Sequence, residues 1–149
     1  MFKTPGAAID GIDAHLIDVE VIYVEVIDVE VIDVEVIDVE VDMFASGHAR
    51  DSVMMGMPDV AVRESRERIK SALINSGFGY PNKRITINLA PANVRKEGAG
   101  FDLPVAMGNL GAIGAAKALD QHIFIGELSL DGAIRPVRGV LSIAVCARI

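Results

Sequence analysis

Between Asp18 and Asp42 apolar and acidic residues alternate in a five-residue unit, DVEVI YVEVI DVEVI DVEVI DVEVD. Alternation places successive side chains on opposite faces of a strand. The Val21-Ile22 doublet breaks the phase, and Val26-Ile27 and Val31-Ile32 break it again. A single strand through the whole repeat would span about 80 Å at ~3.4 Å per residue, too long for so small a domain. A helix would spiral the acids around its axis, because five residues advance it by about 140° net. A β-bulge at each Val-Ile doublet would restore one apolar and one acidic face. The pattern therefore predicts a ragged hairpin or extended edge ribbon, with a poorly ordered acidic loop or a short pentapeptide coil as alternatives. A tandem duplication that adds no chemistry is the simplest origin.

Outside the repeat the patterning is conventional. Ala7 to Asp10 and Ala14 to Val21 read as strands, the second running into the repeat, and Ser52 to Met57 as a third. Asp59 is an N-cap candidate for a helix that runs to about Asn75, with Gly77 as its stop. The inner face of that helix is Val62, Ile69 and Leu73, flanked by Ser65 and Ala72, and Glu64 and Arg68 form an i,i+4 pair. Ile85 to Leu89 alternates as a strand. Asp102 is a plausible cap for a second helix, with Pro104 in its first turn and Gly108, Gly111 and Gly114 at three-residue spacing. Ile123 to Leu130 reads as a strand, Asp131-Gly132 as a turn, Ala133 to Pro136 as the return, and Val140 to Ile149 as an apolar-rich helix that stops without a cap. The order implies an α+β fold, a two-layer α/β sandwich, in one domain over residues 1–149, with 18–42 as an acidic insertion. The uncapped end suggests truncation.

Composition changes the picture in one respect. The net charge is −7, yet the repeat holds ten acids and no base, so the other residues carry 14 basic and 11 acidic groups. The remainder is mildly basic, which suits nucleic acid. Arg63, Arg66 and Lys70 could join Lys83, Arg84, Arg95, Lys96, Arg135 and Arg138 in one phosphate-contacting surface; ordinary solvated ion pairs are the competing account. Aromatic interleaving for base stacking is absent. Cys146 is alone and His15, His48 and His122 are scattered, which argues against disulfides and metal binding. No leader or membrane-length apolar run appears, so a cytoplasmic protein without a membrane partner is expected. Gly111 to Lys117 approximates a phosphate loop but has Ala116 at the second glycine and lies within a helix. Small residues there favour close packing on a sheet. Gly98-Ala99-Gly100 could form an anion nest, though a backbone turn is the simpler reading.

Several longer stretches carry a resemblance: GMPDVAVRESRER (56–68), NSGF (75–78), RITINLAPA (84–92), RKEG (95–98), FDLPVA (101–106), GELSLDG (126–132) and RPVRGV (135–140). They resemble the N-terminal domain of the magnesium-chelatase-like AAA+ family of the ComM/YifB type, and residues 1–21 look like that family's opening. The resemblance implies a Lon-protease-like, ribosomal-protein-like fold. In the protease the nucleophilic Ser follows a stretch matched by Lys96-Glu97-Gly98-Ala99, which puts Gly100 at its position. The partner Lys falls at Leu141. Without nucleophile and base, Ser-Lys peptidase chemistry is not expected. The fragment is then a non-catalytic domain with no cofactor of its own. The family's ATP and magnesium belong to an AAA+ module absent from this chain, and its members look like hexameric DNA helicases of branch migration, recombination and natural transformation. Porphyrin chemistry is not implied. The alternatives are a Lon-like peptidase relative with an altered active site, and a protein-interaction module acting through the acidic ribbon.

Overall fold

The structure is a computed structural model that describes residues 2–10, 33–44, 53–80, 83–117, 119 and 122–148. Strands β1 (Phe2–Asp10), β2 (Asp33–Phe44), β3 (Val53–Met55) and β4 (Arg84–Ala90) form a sheet in the order β1-β2-β4-β3. β2 runs antiparallel to both of its neighbours, while β3 pairs parallel with β4. Helix α1 (Val60–Asn75) supplies the connection that a parallel pair requires. A 3₁₀ turn (Ala99–Phe101) leads into helix α2 (Asp102–Ala112), which packs against β1 and β2. The short strands β5 (Glu127–Leu128) and β6 (Ile134–Arg135) make a separate hairpin, followed by helix α3 (Val140–Arg148).

Alternation builds the core. Ile37, Val39 and Val41 of β2 join Ile85, Ile87 and Leu89 of β4 on one face of the sheet. That face is covered by Val62, Ile69, Ala72 and Leu73 of α1 and by Val105, Ala106 and Leu110 of α2. Each Val, Ile or Leu side chain among them contributes about 1.5–3 kcal/mol when fully buried. On the opposite face, Asp38 and Asp42 are exposed. This is the expected two-layer α+β arrangement, and the inner face of α1 consists of the residues its periodicity selects.

Among the described residues, the end of the repeat differs from the expected edge ribbon, and its earlier units lie outside them. Its last ten residues, Asp33 to Asp42, lie in a central strand, and Ile37, Val39 and Val41 are fully buried. No bulge absorbs the Val36-Ile37 doublet. The register with β1 runs one for one from Phe2↔Val41 to Asp10↔Asp33. The expected strand Ala14 to Val21 lies outside the described residues, and the partner of β1 is the final stretch of the repeat. β1 itself begins at Phe2 rather than Ala7, because β2 offers nine consecutive partners.

Two more boundaries move for backbone reasons. β3 ends at Met55, where Gly56 and Met57 adopt φ of 102° and 60°. At Gly56 an added Cβ would collide with the Leu89 carbonyl, so the chain needs glycine there to pass β4. Only Glu127–Leu128 of the expected strand Ile123 to Leu130 pairs as a strand. The Gly126 amide instead donates to the Gly100 carbonyl, and the Gly126 carbonyl accepts from the Leu103 amide, which ties this segment to the start of α2.

Candidate nucleic-acid interface

Helix α1 presents the basic residues. At about 100° per residue, Arg63, Arg66 and Lys70 fall within a ~60° stripe beside the apolar face. Arg63 and Lys70 are exposed, and Arg66 is half-buried at the edge of the apolar face. Glu67 lies about 40° beyond Arg63, outside the stripe, and is exposed. Asp59 caps the helix, its Oδ1 accepting from the Val62 amide at 2.8 Å and its Oδ2 from the Gly98 amide at 3.3 Å.

The remaining predicted basic residues lie at the start of β4, in the loop after it, on β6 and in the turn before α3. The Lys70 ammonium stands 5.8 Å from the Tyr80 ring centroid, which links the stripe to the segment that enters β4, where Lys83 and Arg84 are exposed. Arg95 is exposed and paired with Glu97 at 3.1 Å. Its neighbour Lys96 bonds the start of α1 through its backbone, accepting from Asp59 and donating to Met57. Lys96 corrects the sequence reading: the side chain is fully buried and its ammonium donates to the Pro91 carbonyl, so it cannot contact a phosphate at the surface. Arg135 lies across the β5–β6 hairpin from Glu127. That hairpin is held on the flank of α1 that carries Arg68, roughly 140° around the helix from Arg63. Arg138 is exposed in the turn that precedes α3.

Asp102 is also corrected. It is the first residue of α2, but its carboxylate caps nothing in that helix. Fully buried, it accepts from Arg68 Nε at 2.7 Å, Arg68 Nη2 at 2.9 Å and the Leu128 amide at 3.0 Å. Arg68 reaches Glu64 only at 4.0 Å. The bidentate bond to Asp102 raises the guanidinium pKa. This clamp, which joins α1, α2 and β5, has no signature in the sequence, since its partners lie 34 residues apart.

The glycine stretches do not form a nucleotide site. In Gly111 to Lys117 the amides of Ile113, Gly114, Ala115 and Ala116 donate to the carbonyls of Asn109, Gly111, Leu110 and Leu110, leaving none of these four to cradle a phosphate. Gly108 and Gly111 are buried where α2 meets the sheet. ATP and its magnesium therefore do not fit this stretch, and the described residues contain no group of three His, Cys, Asp or Glu side chains placed to hold a metal ion. Gly98 uses its positive φ of 81° to turn the chain, and its amide bonds Asp59. Gly100, at the expected nucleophile position, faces Ile125 and Val137, and Leu141 is an exposed apolar residue on α3. No helix among the described residues is long and apolar enough to cross a membrane.

The family described as subunit ChlI of Mg-chelatase matches residues 39–149. The chain belongs to this family. Within the ChlI family it is similar to YifB of Escherichia coli K12, 50% identical over 93 residues, which cover 61% of this chain and 18% of that protein. It is similar also to the competence protein ComM of Haemophilus influenzae, 46% identical over 97 residues, 64% of this chain and 19% of ComM. Rv2897c of Mycobacterium tuberculosis H37Rv is 40% identical over 97 residues, again 64% of this chain and 19% of that protein. The chain thus spans about a fifth of the length of these ComM/YifB-type relatives.

Proposed function

We propose that this ChlI-family chain is a non-catalytic, Lon-like N-terminal domain of a longer AAA+ ATPase, and that it contacts the DNA backbone through α1. The parent is a hexameric helicase of the branch-migration kind, serving recombination and competence. The match across residues 39–149 to a family that includes a competence protein supports the parent's class. The stripe Arg63-Arg66-Lys70 carries the DNA reading, because it sits on a helix fixed at one end by its Asp59 cap and at its middle by Arg68–Asp102. A rigid row of cations positions a phosphate backbone without reading its sequence. Glycine at position 100 and leucine at 141 leave a peptidase without its nucleophile and base. The test is Arg63→Glu with Arg66→Glu in the full-length protein. DNA affinity should fall for all sequences alike, and the salt slope should shrink by about 2 for two lost phosphate contacts. Unchanged affinity removes the DNA-contact reading. Hydrolysis of an unfolded protein by the 149-residue chain would replace the non-catalytic reading with the peptidase one.

A further inference from the structure

Asp33 to Val41 supplies the whole register with β1. Its sequence, DVEVIDVEV, recurs unchanged at 28–36. Drawing the strand back by one five-residue unit therefore puts an identical side chain opposite every residue of β1. The buried triad Ile37, Val39 and Val41 is replaced by Ile32, Val34 and Val36, and the pairs Asp38↔Ala90 to Val41↔Ile87 with β4 keep their residue types. A shift by one residue would turn the apolar set outward, but a shift by five preserves it because the sequence shifts with it.

Only three pairs tell the registers apart. Asp42, Met43 and Phe44 stand opposite Thr86, Ile85 and Arg84. After the shift these places fall to Ile37, Asp38 and Val39. The middle exchange weighs most, since Met43 is half-buried against the core and a carboxylate in its place would be desolvated. The register in the structure is thus selected by the repeat's last residue, Asp42, and by Met43 and Phe44 after it, and not by the earlier units.

We propose that β2 is an exchangeable strand, whose place in the sheet passes among the repeat copies in steps of five residues. Chain connectivity allows it. Each step shortens the β1–β2 connection by five residues and lengthens the β2–β3 connection by five, and closure entropy changes only logarithmically with length. The far end of the series is also well formed in principle. With Ile17 to Val21 in the slot, Asp13 stands opposite Asp10, and Gly11-Ile12 becomes a two-residue loop with glycine first, the pattern of a type II′ hairpin.

Cysteine trapping in the 149-residue chain, with Cys146→Ser as background, tests the exchange. Lys3 stands opposite Glu40 in the observed register, and Glu35 takes that place after one step. Without a step, Glu35 is opposite Ala8, five residues along and about 17 Å away at ~3.4 Å per residue. A disulfide needs Cα atoms within about 7 Å. Lys3→Cys with Glu40→Cys should close at once under mild oxidation. Lys3→Cys with Glu35→Cys should close more slowly, yet faster than Lys3→Cys with Met55→Cys, three strands apart, which only unfolding can join. Adding Asp38→Met at its exposed site should speed closure of the Lys3–Glu35 pair by supplying the methionine the shifted register lacks. Closure of that pair no faster than the Met55 control overturns the proposal.

Discussion

Arg68 and Asp102 show how little of a buried ion pair is visible in sequence. Asp102 precedes an apolar run with proline two residues on, which is the look of a helix cap, whereas its fully buried carboxylate answers a guanidinium on another helix. Local spacing reveals caps because a cap bonds its own helix; it carries no trace of a partner 34 residues away. Asp59, whose partner is three residues on, was legible for the same reason. Arg68→Ala strands the carboxylate and should cost about 3–5 kcal/mol in urea unfolding, with the Arg68→Ala/Asp102→Ala double variant costing less than the sum. Tyr80 gives a pH test. Burial pushes its phenol above the usual 10.0, so the folded value exceeds the unfolded one. The stability it contributes is complete below pH ~10 and is lost as the pH climbs through the folded value. In a Tyr23→Phe chain, tyrosinate absorbance should therefore appear only above pH ~10, and a normal phenol titration would refute the burial of Tyr80.

Among the elements, α1 and β4 could be read directly from the chain, and β2 could not. A 3.6-residue apolar rhythm bounded by Asp59 and Gly77 admits one placement of α1. The repeat offers several equivalent strands, and the one used is chosen by its final Asp42 with Met43 and Phe44. The strand expected at Ala14 to Val21 lies outside the described residues. The basic constellation was legible in the same measure: the helical stripe Arg63-Arg66-Lys70 follows from spacing, while the burial of Lys96 depends on the loop that returns to the start of α1. Asp59 serves both that loop and the helix. Asp59→Ala should lower stability by about 1–2 kcal/mol, near the upper part of the range for a lost cap, as read from thermal unfolding. A loss below a few tenths of a kcal/mol would show that the Gly98 loop does not depend on it.

At the scale of the molecule, charge and sheet edge act against each other. Among the described residues β1 is a nine-residue edge of the main sheet, and an open edge invites pairing between chains. The repeat's ten acids oppose such pairing by mutual repulsion at neutral pH. Association, followed by sedimentation velocity, should therefore rise with added salt, which screens the repulsion. A sedimentation coefficient constant from low to high salt would rule out this gatekeeping.

The one-for-one pairing of β1 with β2 has a consequence for inheritance. Tandem repeats gain and lose units when a gene is copied, and most proteins would lose their frame of contacts with each event. Here four of the five units read Ile-Asp-Val-Glu-Val, the stretch that the sheet accepts at 37–41 directly before Asp42, and the fifth differs only by Tyr23. A change in copy number leaves that junction as it was and alters only the length of chain that precedes it. The sheet is blind to the count, so selection on the fold does not resist the expansion.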